Sequence, residues 1–139
     1  MTDTIEQRKQ AAITHVTKQV FPFTTNNQQT LFGGIAMQWM DEVGFITATR
    51  FSRQKMVTVS MDKIDFKVPI PSGSIVELLG EIEHVGNTSL GVLVTVTSED
   101  MLAGGRQVAM TGKLTFVAVD DNTRPIQLSV HSNADKTKQ

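Results

Sequence analysis

The residues whose types could do chemistry are concentrated in one stretch, NNQQTLFGGIAMQWMDE, at positions 26 to 42. It opens on two asparagines, passes through Gly33 and Gly34, and closes on the carboxylates Asp41 and Glu42. Glycines at a helix N-terminus leave backbone N–H groups open to a ligand, and the helix dipole favours negative charge there. A glycine pair with a carboxylate about two turns further along can therefore polarise a carbonyl oxygen at one end and supply a base or nucleophile at the other.

These residues belong to a segment of helix length, residues 33 to 50, which is the only long helix candidate in the chain. At about 100° per residue, one face carries the apolar side chains expected to meet a sheet: Ile35, Ala36, Trp39, Met40, Val43 and Ile46. Asp41 falls on another stripe, together with the mostly small residues Gly34, Met37, Gly44 and Ala48. A solvated carboxylate on an outer helix face stays open as an interpretation, whereas the small neighbours favour close packing against a partner. Glu42 is expected to be a plain surface residue.

The rest of the chain must position this helix. Residues 3 to 13 are expected to form a short helix, and residues 14 to 21 a strand. After the long helix, Val57, Val59 and Met61 alternate on one face before the phase shifts by one residue, which indicates a β-bulge. PIPSG (69 to 73) ends that strand, VGNTS (85 to 89) forms a hairpin turn, and SEDMLAGGR (98 to 106) leads to the last strand.

This order predicts an α+β fold, with an antiparallel sheet of about five strands wrapped around one long central helix. The 139 residues, 40% of them hydrophobic, are enough for one core. A single domain is expected over residues 1 to 120. Residues 121 to 139 are expected to form a polar, frayed C-terminal tail.

Composition argues against several classes of function. A net charge of -1 from 13 basic and 14 acidic residues gives no electrostatic footprint for nucleic acid or an anionic membrane. The chain contains no cysteine, which excludes disulfides and thiolate chemistry, and its three histidines lie too far apart for a helical metal-binding pair. No metal or other cofactor is expected. The polar N-terminus and the lack of a long apolar run predict a cytoplasmic location.

Taken together, the motifs resemble the hotdog-fold acyl-CoA thioesterases of the acyl-CoA hydrolase family. The matching segments run from about residue 14 to residue 120 in one consistent order: Asn26, LFGG (31 to 34), WMDE (39 to 42), VTVSMDKIDFKVPI (57 to 70), VGNTS (85 to 89) and FVAVD (116 to 120). The resemblance implies hydrolysis of acyl-CoA to a free fatty acid and CoA, with coenzyme A entering only as part of the substrate. It also implies a homodimer joined edge to edge, often assembled as a trimer of dimers, with active sites at the dimer interface.

The resemblance further implies roles for individual residues. Asp41 would be the general base or the nucleophile, Asn26 of the partner subunit would hold water or the thioester carbonyl, and the Gly34 amide, next to Gly33, would contribute to the oxyanion site. Thr58, which faces away from Val57 and Val59, would position water. The turn formed by Gly86, Asn87, Thr88 and Ser89 would contact the CoA phosphates or pantetheine, although an ordinary hairpin turn explains it equally well.

Two other functions stay open on the sequence. The same fold could bind acyl-CoA as a sensor without cleaving it, in which case Asp41 would be structural. A dehydratase acting on hydroxyacyl thioesters is the second alternative, but such relatives pair a histidine with the helix carboxylate, and the helix segment has no histidine. The length of the acyl chain is not determined, because the methionines and aromatics of the helix could line a tunnel or fill the core.

Overall fold

The computed structural model describes residues 4 to 131. Two helices, α1 (Ile5–Ala12) and α2 (Gly33–Ser52), accompany five strands: β1 (Thr14–Gln19), β2 (Met56–Phe66), β3 (Ile75–Val85), β4 (Ser89–Glu99) and β5 (Arg106–Ala118). The strands form one sheet in the order β1-β3-β4-β5-β2, and every neighbouring pair is antiparallel. This is the α+β architecture predicted from the sequence, with α2 packed against all five strands.

The sheet covers more of α2 than the predicted apolar face. Met40, Val43, Ala48 and Phe51 are at most 1% exposed, and Gly44 is buried as well. A Cβ atom added to Gly44 would lie 3.1 Å from the Phe116 ring of β5. The stripe of small residues on which Asp41 was placed therefore packs, at Gly44 and Ala48, against the chain's own core. The expectation that Gly44 and Ala48 are small because they pack against a partner subunit is wrong. The sheet of the same chain curves around α2 and covers these two positions.

Strand β2 is bulged twice. Its pairing with β5 shifts register between Thr58 and Ser60, and again between Asp62 and Asp65. The second shift contains Lys63, whose φ of 52° lies in the left-handed region. The predicted β-bulge is confirmed. The first shift was not predicted, and it moves Met61 to the face opposite Val57.

As a result, the prediction that Met61 shares a face with Val57 and Val59 is wrong. Three residues of β2 pair with buried residues that alternate along β5: Met56 with Ala118, Thr58 with Phe116, and Met61 with Leu114. The three β5 residues are all 0% exposed. These three side chains of β2 therefore lie on the face that covers α2. Val59 is 54% exposed. Thr58 consequently points at the helix.

The expected frayed tail is wrong for residues 121 to 131, whereas residues 132 to 139 lie outside the described part of the chain. Leu128 is 0% and Val130 5% exposed, and both belong to the core. Backbone hydrogen bonds join the Ile126 N–H to the Ala118 carbonyl and the Leu128 N–H to the Asn87 carbonyl, each at 2.9 Å. The residues that follow β5 are thus packed along the sheet. The domain boundary near residue 120 stays a prediction.

Candidate active site

Asp41 is held by a hydroxyl from β2. The Thr58 Oγ1 donates to Asp41 Oδ1 at 2.9 Å, and within residues 4 to 131 this is the only hydrogen bond to that carboxylate. Asp41 is half-buried and lines an open cavity of about 410 Å³ together with Glu42, Phe45 and Ile46. One carboxylate oxygen is therefore oriented by a hydrogen bond at the edge of the cavity, an arrangement suited to a base or a nucleophile.

The surroundings of Asp41 combine a polar group with exposed apolar ones. Phe45 is 43% and Ile46 38% exposed, although both lie in the middle of α2. Phe45 packs edge-on against Phe116, with ring centroids 6.4 Å apart. The prediction placed Ile46 on the face buried against the sheet, which is wrong, and it gave Phe45 no definite place. Glu42 is exposed, as predicted.

The N-terminus of α2 offers free backbone donors. Phe32 occupies the N-cap position without any side-chain cap. The first helical N–H with an acceptor among the described residues is that of Ala36, which donates to the Phe32 carbonyl at 3.0 Å. The amides of Gly33 and Gly34 are thus left for a ligand or for water. A Cβ on Gly34 would lie 3.0 Å from the Phe32 ring, so a side chain there would crowd this end of the helix.

Asn26 closes the turn that leads into the helix. Its Oδ1 accepts hydrogen bonds from the Gln28 N–H at 2.9 Å and the Thr30 N–H at 3.2 Å. Two backbone donors fix the amide orientation, because only the oxygen can accept them. The Nδ2 group is therefore the donor side, and it lies 3.0 Å from the Thr30 hydroxyl. Asn26 also lines a cavity shared with Gly33 and Phe66.

Within one chain, the predicted catalytic residues form two separate groups. Asn26 lies at the N-terminal end of α2, beside Gly33. Asp41 lies eight residues beyond Gly33 along α2, which corresponds to about 12 Å at 1.5 Å per residue. Thr58 of β2 lies beside Asp41. The structure brings Asp41 and Thr58 together, but it does not bring Asn26 to either of them.

The predicted substrate-binding turn joins β3 to β4. The Gly86 N–H donates to the Ser89 carbonyl at 2.8 Å, which closes the turn around Asn87 and Thr88. A Cβ on Gly86 would lie 2.9 Å from the Ser89 hydroxyl, so a side chain at this position would require the Ser89 side chain to move. Residues of the C-terminal segment also contact the turn, among them Gln127, whose Nε2 donates to Asn87 Oδ1 at 3.2 Å. The only signal for these contacts in the sequence is the short apolar alternation of Ile126, Leu128 and Val130.

A family model described as the thioesterase superfamily matches residues 28 to 105, a range that contains α2, β2, β3 and β4. The chain belongs to the thioesterase superfamily. The family inferred from the sequence motifs, the hotdog-fold acyl-CoA hydrolases, is confirmed by relatives and by solved structures.

Among the relatives, an uncharacterized acyl-CoA thioester hydrolase of Bacillus subtilis, YkhA, is 44% identical over 110 residues, which are 79% of this chain and 64% of the relative. An acyl-CoA hydrolase from Staphylococcus aureus, solved with butyryl coenzyme A, superposes with a TM-score of 0.82 at 29% identity over 92% of this chain and 85% of that one. An apo-hexameric acyl-CoA thioesterase gives a TM-score of 0.84 at 31% identity over 99% of this chain and 93% of that one.

The chain spans less than two thirds of the first curated relatives, 64% of the Bacillus subtilis protein and 59% of the VdlD proteins of Helicobacter pylori. Within residues 4 to 131, no helix is both long and apolar enough to cross a membrane. In the same range, no group of three or more histidine or carboxylate side chains is arranged to hold a metal ion.

Proposed function

We propose that this protein hydrolyses acyl-CoA thioesters to free fatty acid and CoA, with Asp41 as general base or nucleophile. The observation that carries the proposal is the hydrogen bond from Thr58 to Asp41, which orients a carboxylate at the edge of an open cavity. A carboxylate held in this way, next to exposed apolar side chains, suits a substrate that has a polar reacting group and an apolar chain.

The chemistry needs no group beyond the chain and the substrate. With Asp41 as base, water attacks the thioester carbonyl carbon as its proton passes to the carboxylate, and the tetrahedral intermediate then expels the CoA thiolate, which takes up a proton. With Asp41 as nucleophile, the carboxylate attacks the carbonyl carbon, the C–S bond breaks and the CoA thiolate leaves and takes up a proton. Water then hydrolyses the resulting mixed anhydride to free fatty acid and the regenerated carboxylate. A positioned base contributes on the order of 10²-fold or more, and each oriented donor to the oxyanion contributes a similar factor.

The separation of Asn26 from Asp41 within the chain is the reason to propose a site shared between two subunits. Strand β2 is an edge strand, since it pairs only with β5. Antiparallel pairing of β2 with a second copy, about a two-fold axis near Asp62, would place Thr58 beside Phe66 of the partner subunit. Phe66 lines the same cavity as Asn26 and Gly33. Such a dimer would bring Asn26 and the Gly34 amide of one chain to Asp41 of the other.

Variants of the Staphylococcus aureus hydrolase support the choice of residues. Three alanine variants of that protein have been characterised, which replace an asparagine, an aspartate and a threonine. The two intervals between these residues along its chain equal the intervals between Asn26, Asp41 and Thr58. The hexameric relative likewise supports assembly as a trimer of dimers. A cytoplasmic location stays a prediction.

The test is release of free thiol from a panel of acyl-CoAs of increasing chain length. We expect turnover by the unmodified protein, and we expect Asp41→Asn to reduce kcat at least 10²-fold because it removes the base while keeping the side-chain shape. Glu6→Gln, an exposed carboxylate on α1 that does not line this cavity, is the matched control and should retain full activity.

Full activity in a folded Asp41→Asn variant would remove this residue from the reaction. An unmodified protein that binds CoA tightly but cleaves no chain length would instead be a sensor, the alternative that the sequence leaves open.

A further inference from the structure

The turn between β3 and β4 has three consecutive carbonyl oxygens that are bound by other parts of the chain. His131 Nε2 lies 2.9 Å from the Gly86 oxygen. The Leu128 N–H donates to the Asn87 oxygen at 2.9 Å, and the Ala118 N–H donates to the Thr88 oxygen at 3.0 Å. Because a carbonyl oxygen can only accept, the His131 ring carries a proton on Nε2.

These contacts determine where the turn's N–H groups point. All peptide bonds of the described chain are trans, and in a trans peptide the N–H points opposite to the C=O of the same unit. The N–H of Asn87 therefore points away from His131, and the N–H of Thr88 points away from Leu128. Neither N–H has a partner among residues 4 to 131. Two adjacent, outward N–H groups form a site suited to an anion or a carbonyl oxygen.

We propose that residues 126 to 131 orient this turn so that the Asn87 and Thr88 N–H groups bind acceptor oxygens of the CoA part of the substrate, with His131 as a positioning residue. The proposal rests on the proposed function for the identity of the ligand. The geometry of the turn stands independently of it.

The hydrogen bond of His131 can be removed without removing the apolar packing of its segment. Leu128 and Val130 are 0% and 5% exposed and provide the apolar contacts. His131 is half-buried, and its described side-chain hydrogen bond is the one to the Gly86 carbonyl. Removing the ring therefore frees the first peptide unit of the turn while leaving the core intact.

The experiment compares His131→Ala, His131→Gln and the unmodified protein. We expect His131→Ala to raise the KM for acyl-CoA and the Kd for CoA, measured by calorimetry, about fivefold, the equivalent of one hydrogen bond. The kcat should stay within about twofold, because the turn does not contact the reacting carbonyl in this proposal. His131→Gln keeps an N–H donor at a similar reach and should restore most of the affinity. His15→Ala, on the exposed side of β1, is the matched control and should change neither constant.

Two substrates distinguish the sources of the acceptor oxygens. If the phosphates bind the turn, His131→Ala should leave the KM for an acyl-pantetheine unchanged. If the pantetheine amide oxygens bind it, the KM should rise for both substrates.

The outcomes separate this inference from the proposed function. Hydrolysis by the unmodified protein together with an unchanged KM and Kd in His131→Ala would overturn the inference alone. Equal losses in His131→Ala and His131→Gln, accompanied by a lower melting temperature, would also overturn it, since they would show a purely structural role. Binding of CoA without hydrolysis, weakened by His131→Ala and restored by His131→Gln, would support the inference and contradict the proposed function. Absence of both hydrolysis and CoA binding would overturn both.

Discussion

At the scale of single residues, the chemistry proposed for Asp41 depends on its contact with Thr58. Asp41 could be singled out from the sequence as an unusual carboxylate in a largely apolar segment. Which face of β2 would contact it could not be predicted. That face depends on the register shift between Thr58 and Ser60, which turns the Thr58 hydroxyl towards α2. A helical projection contains no information about the strand opposite. The residue pattern therefore singled out Asp41, whereas Thr58 was named only through the family resemblance, and neither showed that the two side chains touch.

Replacing Thr58 tests how much the orientation of the Asp41 carboxylate contributes to catalysis, because Asp41 itself is kept. Thr58→Val keeps the shape of the side chain but loses the donor to Asp41, and we expect kcat for acyl-CoA hydrolysis to fall about tenfold, in line with one hydrogen bond to a charged group. Thr58→Ser keeps the hydroxyl and should stay within about threefold of the unmodified rate. Thiol release under saturating substrate measures both. Equal rates for the valine and serine variants would show that the hydroxyl has no part in catalysis.

At the scale of elements, hydrophobic periodicity predicted the long helix, the hairpin at residues 85 to 89 and the bulge in β2. It did not predict the environment of Gly44 and Ala48, because the curvature of the sheet determines how much of α2 is covered. It also did not predict that residues 121 to 131 pack. In that segment Ile126, Leu128 and Val130 carry the apolar contacts to the core. They alternate with two polar residues, but the run of five residues is short and lies in an otherwise polar stretch, so the alternation alone does not predict packing.

The burial of Leu128 gives a stability prediction for the C-terminal segment. Leu128→Ala should lower the free energy of unfolding by about 2 to 5 kcal/mol, because it leaves a cavity in the core. Leu102→Ala is the matched control, since Leu102 is 96% exposed, and it should change stability by less than about 0.5 kcal/mol. Urea unfolding followed by circular dichroism measures both. Equal midpoints for the two variants would mean that the segment does not pack as described.

At the scale of the whole molecule, the two halves of the proposed site lie at different ends of β2. Family membership could be predicted from the sequence, since the motifs occur in a consistent order along the chain. The proposal of a second subunit rests on geometry, because Asn26 and Asp41 lie in separate groups within one chain.

Mixing two inactive variants tests the shared site. Asn26→Ala and Asp41→Asn each disable every site of their own homodimer. A mixed dimer, in contrast, contains one site with both changes and one intact site. Random exchange of subunits should therefore restore roughly a quarter of the unmodified activity. Thiol release after unfolding and refolding the variants together measures the recovery, and each variant refolded alone is the control. Mixed dimers, verified by a size tag, that show no recovery would place each site within a single chain.

The backbone of β2 has one more consequence, for aggregation. An edge strand of eleven residues with exposed Val59 and Phe66 is a template for uncontrolled strand addition whenever no other strand covers it. Lys63, with its left-handed φ and its charge, interrupts that template near the middle. Bulges and lysines on edge strands are devices that proteins use against fibre formation. The irregular stretch around Lys63 would thus act against fibril growth from newly made chains whose β2 edge is uncovered.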